Sequence, residues 1–223
     1  MKAIAHIRSD FPTKFGIPRQ SGLIETLKAV IVFEPEYRNP DALRGLEEFS
    51  HIWLIWEFSA NKRDSWSPTV RPPRLGGNTR MGVFATRSPF RPNPIGLSSV
   101  TLDGIEYHSE FGPVLYVSGA DLMDGTPIYD IKPYIASDCR PDARCGFTDK
   151  VPVPELAVAF PMPLLEKIPE SRRDALTAVL ASDPRPRYQS DPDRIYGLEF
   201  AGFDIRFRVD QNTVHVCDVV VSE

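Results

Sequence analysis

Between residues 2 and 134, apolar positions gather into seven short segments that alternate with polar residues or run together briefly. Proline, glycine and other turn-forming residues separate them. The first is KAIAHIR (Lys2–Arg8), followed by AVIVF (Ala29–Phe33) and the strongly aromatic HIWLIWEF (His51–Phe58). Met81–Thr86, Gly96–Tyr107, Val114–Gly119 and Ile128–Tyr134 complete the set. Runs of this length and period predict strands. Seven of them with turn signals between them fit a barrel or sandwich better than a sheet built of βαβ units. A short helix is expected after Asn39, which would cap it ahead of Pro40 at the first helical position and an apolar face of Leu43 and Leu46.

The pattern changes after Asp138. CRPDARCGFTDKVPVPELAVAFPMP is proline-rich and weakly periodic and reads as a connector. Pro169 then marks a first helical turn, Leu176, Val179 and Leu180 form an apolar stripe, and Asp183 before Pro184 closes the helix. YGLEF, FDIRFRV and HVCDVVV follow as strands. The expected organisation is mainly β: a barrel-like unit over residues 1–138, a connector over 139–160 and a small α+β unit over 161–223. A chain of 223 residues has room for two such cores.

Composition narrows the function by exclusion. No apolar run approaches the roughly 20 residues needed to cross a bilayer. The N-terminal MKAIAHIRSD lacks a signal-peptide core, so a cytoplasmic protein is expected. Cys139, Cys145 and Cys217 form no C-x-x-C pair and read as free thiols, and the four histidines show no metal-binding spacing. Dinucleotide, P-loop and nucleophile-elbow glycine motifs are all missing. The net charge of −4 alone argues against a nucleic-acid partner, but Ala60–Ile95 holds seven basic residues against Asp64. A local excess of that size can hold phosphates on an otherwise acidic protein. The 59–80 stretch within it has little periodicity, and a connection that long inside a compact unit is usually functional or disordered.

GVFATRSPFRPNPIGLS, from Gly82 to Ser98, is the least strand-like part of this region. Pro89, Pro92 and Pro94 each fix φ and remove a ladder donor, so the segment predicts a rigid bend that holds donors such as Arg87 in place.

Four stretches carry a resemblance to a known family: PRQ at 18–20, LEEFSHIWLIWEF at 46–58, RPPRLGGNTRMGVFATRSPFRPNPIGLS at 71–98 and DLMDGTPIYDIKPY at 121–134. They are similar to those of the TsaA-like family, the bacterial tRNA N6-threonylcarbamoyladenosine methyltransferases also called TrmO. DPRPRYQ at 183–189 resembles the start of that family's small C-terminal domain. The resemblance implies a non-Rossmann, barrel-like methyltransferase that uses S-adenosylmethionine and forms a homodimer with its cofactor pocket near the subunit interface. It also implies a substrate, adenosine 37 of threonine tRNAs already bearing a threonylcarbamoyl group on N6.

Carried over position by position, the family's cofactor contacts fall on Arg19, Gln20 and Ser21, on Phe58 and Ser59, on Arg87 and Leu97, and on Asp121, Leu122, Met123 and Asp124. Their chemistry suits the cofactor. Arg19 or Arg87 offers a bidentate clamp for its carboxylate, Asp121 and Asp124 accept from ribose or ammonium, and Phe58, Leu97 and Met123 bound the adenine. Asp130 and Tyr134 are candidates to take the proton from N6, although Asp130 also suits a simple pairing with Lys132. Arg63, Trp66, Arg71, Arg74 and Arg80 fit a surface for single-stranded RNA, which is held by stacking and phosphate contacts, and Arg185, Arg187 and Tyr188 extend it in the C-terminal unit. A non-catalytic RNA- or nucleotide-binding barrel and a small-molecule methyltransferase are the competing readings.

Overall fold

The computed structural model of the protein describes residues 1–61, 65–150, 155–185 and 191–222. Its strands are β1 (Ala5–Arg8), β2 (Lys28–Phe33), β3 (His51–Glu57), β4 (Thr69–Val70), β5 (Met81–Gly82), β6 (Ile95–His108), β7 (Gly112–Ser118), β8 (Pro127–Pro133), β9 (Ala157–Ala159), β10 (Tyr196–Phe200), β11 (Phe203–Asp210) and β12 (Thr213–Val221). Two helices, α1 (Met162–Leu165) and α2 (Glu170–Ala181), lie between β9 and β10.

Six antiparallel strands close a barrel in the order β1-β2-β7-β6-β3-β8. The period-2 pattern explains why. Ala5 and Ile7, then Ala29, Ile31 and Phe33, then Ile52, Leu54 and Trp56 face inward from three strands and meet Val100, Leu115, Val117 and Ile128 from the others. β6 is long enough to serve two neighbours. Its first half pairs with β3 and its second with β7, and the register slips between Leu102 and Gly104 where the strand turns the corner. Barrel closure falls to the short β1–β8 pairing, Ala5 opposite Ile128 and His6 opposite Pro127.

Two sequence expectations change here. Met81–Thr86 is a strand only over Met81–Gly82, after which Val83–Ala85 forms a single 3-10 turn. The Arg91 guanidinium donates to the carbonyls of Val83 (3.3 Å) and Thr86 (2.7 Å), the groups a longer strand would have offered a neighbour. The helix expected after Asn39 is two separate 3-10 turns, Pro40–Leu43 and Leu46–Glu48, interrupted by Gly45 at φ 85°. Asn39 caps the first as anticipated, accepting from the Asp41 amide at 3.0 Å.

The second sheet runs β10-β11-β12-β9, with β9 parallel to β12. β9 lies in the stretch read as connector. Three residues are too few to show a period, and only pairing with a distant partner makes them a strand. Ala175, Leu176, Val179 and Leu180 of α2 pack on this sheet against Leu198, Phe200, Ile205 and Phe207. The same core takes Phe11, Ile24 and Leu27 from the long β1–β2 loop. Phe11 meets Phe200 edge-on with ring centroids 5.3 Å apart, the Ala201 amide donates to the Asp10 carbonyl at 2.8 Å, and Arg172 pairs with Asp10 at 3.1 Å. The β1–β2 loop is therefore held between the barrel and the C-terminal sheet.

Candidate functional site

Antiparallel register puts the last residues of β1, β3 and β7 and the first residues of β2, β6 and β8 at one rim of the barrel. Three loops emerge there: 9–27, 58–94 and 119–126. Almost every position singled out for cofactor contact lies on one of them.

The proline segment forms this rim as a chain of small local bonds. Thr86 Oγ1 accepts from the Ser88 amide, Ser88 Oγ accepts from the Phe90 amide, and the Arg91 and Ile95 amides each donate two residues back, to Pro89 and Asn93. Together with the three proline rings they leave little freedom to lose on binding a ligand. Arg91 is used internally, as described above. Arg87 reaches across to the first loop and donates from Nη1 to Gln20 Oε1, while the Gln20 amide group donates to the Arg19 carbonyl. The first and second loops are joined at that point.

The third loop joins them through Asp121. Ser98 Oγ donates to Asp121 Oδ1 at 2.5 Å and accepts from Trp56 Nε1 at 2.9 Å. Burial pushes the Asp121 carboxyl above the ordinary aspartate range. The Ser98 hydroxyl, the nearby Arg87 charge and a bond with the Ser21 backbone act in the opposite direction. The Trp56 indole lies flat over Gly96, where a Cβ would come within 2.2 Å of its ring, and Phe58 packs on it with centroids 4.3 Å apart. Ser98 and Trp56, which the sequence reading did not single out, are the partners that hold Asp121 at this rim. Their signal is an inward-facing serine, 1% exposed, between Gly96 and Val100 on an otherwise apolar phase.

The remaining positions divide. Leu97 is 51% exposed on the outer face, opposite Ile55 and level with Asp130, available to a flat ligand surface. Ser59 follows Phe58 in a 3-10 turn at the same rim. Leu122 is 1% exposed and belongs to the barrel core, so it can offer a ligand only its backbone. Met123 is half-buried in the turn. Asp124 holds the turn to the first loop: Oδ1 accepts from the Ser9 amide at 3.0 Å and Oδ2 pairs with Arg8 at 3.6 Å, while Ser9 Oγ donates to the Leu122 carbonyl.

Asp130 and Tyr134 are not brought to the rim of their own barrel. Asp130 stands opposite Ile55, three residues from Phe58, and pairs with Lys132 at 2.9 Å. Tyr134 lies past the His51 end of β3, stacked near Trp53 at 5.4 Å. At ~3.4 Å per residue they are about 10 Å and about 24 Å along the strand from Phe58. Nearer the rim, Tyr129 donates to Glu57 at 2.6 Å, and that bond first, with burial second, pushes its phenol up to about 12.

Of the residues assigned to RNA, Arg63 lies outside the described residues, as do Arg187 and Tyr188. Arg71 and Arg80 are exposed, Arg80 bonding Thr69 Oγ1 at 3.3 Å; Arg74 donates to the Thr148 carbonyl at 2.7 Å, and Trp66 is half exposed. Arg185 forks onto Asp183 at 2.8 and 3.1 Å. Cys139, Cys145 and Cys217 are exposed free thiols. Among the described residues no cluster of three metal-ligating side chains occurs, and no helix is long and apolar enough to cross a membrane.

Comparison with known proteins adds an independent line. Residues 6–139 match the tRNA-methyltransferase O N-terminal domain and residues 153–222 match the TrmO C-terminal domain. The chain is 43% identical over 215 residues to the tRNA (adenine(37)-N6)-methyltransferase of Escherichia coli K12, covering 92% of this chain and 91% of that protein. A protein of the same description from Eikenella corrodens is 45% identical over 177 residues, 78% of this chain and 99% of the relative. A crystal structure of TrmO from Pseudomonas aeruginosa superposes with a TM-score of 0.79 at 35% identity, covering 99% of this chain and 95% of that one.

Proposed function

The chain belongs to the tRNA-methyltransferase O family, and on that premise we propose that it transfers a methyl group from S-adenosylmethionine to N6 of adenine 37 in tRNA. Within that reading the substrate is the threonylcarbamoylated adenosine of threonine tRNAs, the enzyme works in the cytoplasm as a homodimer, and residues 1–138 form the cofactor-binding unit. The observation that carries it is the convergence of Arg87 with Gln20 and of Asp121 with Ser98 on one rim, beside a basic loop.

The residues present fit the cofactor. A half-buried carboxylate with a raised pKa calls for a cation, and Asp121 supplies one acceptor for the ammonium or ribose. Arg87, already fixed by Gln20, and Arg19 supply planar donors for a carboxylate. Phe58 and the exposed Leu97 supply apolar wall. Bound S-adenosylmethionine supplies the electrophilic methyl carbon on its sulfonium.

The nitrogen of a threonylcarbamoylated base is urea-like, its lone pair delocalised, so the protein's task is to hold that nitrogen in line and to accept its proton. Holding alone is worth roughly 7–11 kcal/mol in well-oriented systems. Asp130 shares the outer face of β3, β6 and β8 with Ile55, Leu97 and the exposed Ile95. We assign that face to the homodimer contact, and Asp130 takes the proton in the assembled dimer rather than at its own rim. The test is methyl transfer from labelled cofactor to bulk tRNA, with sedimentation analysis of the same sample. Transfer by a dimeric species supports the proposal. Absence of both cofactor binding and transfer contradicts it.

A further inference from the structure

From Ser65 to Leu102 the chain carries five arginines and no acidic residue. In the middle of that stretch two large aromatic side chains face solvent. Trp66 is 50% exposed and Phe84 72% exposed, and their rings stack with centroids 6.2 Å apart and planes 29° from parallel. The Arg91 guanidinium sits 5.9 Å from the centroid of the Phe84 ring. Burying both rings would have been favourable, yet the fold displays them.

The display has a structural cause. β4 and β5 pair Thr69 with Gly82 and Val70 with Met81, and the Val83 amide continues the ladder onto the Pro68 carbonyl at 2.9 Å. Carrying that register on sets Ser67 opposite Phe84 and Trp66 opposite Ala85, one position away, and the two rings meet there. Phe84 stands in the 3-10 turn of Val83–Ala85, whose first carbonyl, that of Val83, accepts from both Thr86 Oγ1 and the Arg91 guanidinium. The platform is thus built from both ends of the loop and fixed before any ligand arrives. It is also tied to the rim: Phe84 and Arg87 are three residues apart, no more than about 11 Å of chain, and Arg87 bonds the cofactor loop at Gln20.

We propose that the Trp66–Phe84 pair is a stacking platform for an unpaired base of the anticodon loop neighbouring the one that is methylated, with Phe84 as its outer face. Two exposed rings 29° from parallel, a guanidinium over one of them, and an arginine-rich stretch of chain match what a single-stranded base and its phosphates require. The inference rests on the tRNA reading above and deepens it by naming where the loop is gripped. Phe84, unlike Trp66, was not among the residues assigned to RNA from the sequence. Its signal is an aromatic inside the expected Met81–Thr86 strand, followed by Arg87 and Pro89.

The experiment compares wild type with Phe84→Ala, Phe84→Leu and Phe84→Tyr. It measures S-adenosylmethionine affinity, affinity for an anticodon stem-loop RNA, and the fluorescence of 2-aminopurine placed next to position 37. The expected result is RNA binding weaker by about 5- to 150-fold for Phe84→Ala, as for loss of one stacked base. Phe84→Leu stays weak despite its bulk, Phe84→Tyr is restored, and cofactor affinity is the same in all four. Wild type quenches the 2-aminopurine and Phe84→Ala does not. If wild type binds and methylates tRNA but Phe84→Ala binds RNA equally well, the platform is wrong and the proposed function stands. If wild type binds no RNA, both fall.

Discussion

The Ser98 hydroxyl stands 2.5 Å from the Asp121 carboxylate, and its oxygen also accepts the Trp56 indole N–H at 2.9 Å. Ser98 therefore joins the aromatic strand β3 to the third rim loop, and it fixes which way the acidic side chain points. Ser98→Ala leaves the Trp56 N–H and one Asp121 oxygen without this partner. It is expected to cost about 1–3 kcal/mol of stability and to weaken cofactor binding by about tenfold. Calorimetric titration with S-adenosylmethionine and thermal melts check both; an unchanged affinity removes Ser98 from the account.

Asp121 makes the free enzyme pH-sensitive in a definite direction. Burial raises its carboxyl, so the folded chain binds that proton more tightly than the unfolded chain. The resulting stabilisation is fully present below the ordinary aspartate value and is lost as pH rises through the raised one. Asp121→Asn is expected to flatten this part of the stability–pH curve and so to gain relative stability at neutral pH, while losing cofactor affinity. Melts from acid to neutral pH, paired with binding titrations, would show whether the two effects separate this way.

Arg87 donates to Gln20 across the rim, and in the proposed site it meets the carboxylate of the cofactor. Arg87→Ala should weaken cofactor binding by about 10- to 150-fold, the scale of one charge-assisted bond, and lower methyl transfer with it. Arg87→Lys keeps the charge but loses the planar fork and should recover only a small part. Full recovery by lysine would mean that Arg87 acts as a point charge.

Gly16 tests the coupling between the C-terminal sheet and the first rim loop. It adopts φ +86°, and an added Cβ would lie 2.2 Å from Leu198 Cδ1, on a fully buried side chain of β10. Gly16→Ala combines a left-handed backbone penalty of about 1–2 kcal/mol with that clash. A melting point lower by roughly 5 °C is expected, along with weaker cofactor binding although no rim side chain has changed. A stable variant with normal affinity would show that the two units do not communicate through this loop.

How far the sequence led depended on the range of the contacts involved. The barrel strands were legible because inward residues such as Ile52, Leu54 and Trp56 repeat at the pleat period. β9 was not, since its three residues become a strand only by pairing with β12. The end of β5 was hidden because Arg91, eight residues beyond Val83, takes the carbonyl that a strand would use. The resemblance singled out Arg87, Gln20 and Asp121, but Ser98 joins Asp121 to Trp56 only after β6 is laid against β3. The resemblance carried Leu122 as a contact position without showing that its side chain is core, or that Asp130 and Tyr134 lie away from their own rim.

The central claim is tested most directly by methyl transfer from labelled S-adenosylmethionine to two bacterial tRNA pools. One pool is normal and the other comes from cells that lack threonylcarbamoyl modification, and the nucleoside products are identified by mass spectrometry. The account predicts methylated threonylcarbamoyladenosine in the first pool and no transfer to the second. Equal methylation of unmodified adenosine in both pools, or no transfer to either with cofactor bound, would contradict it.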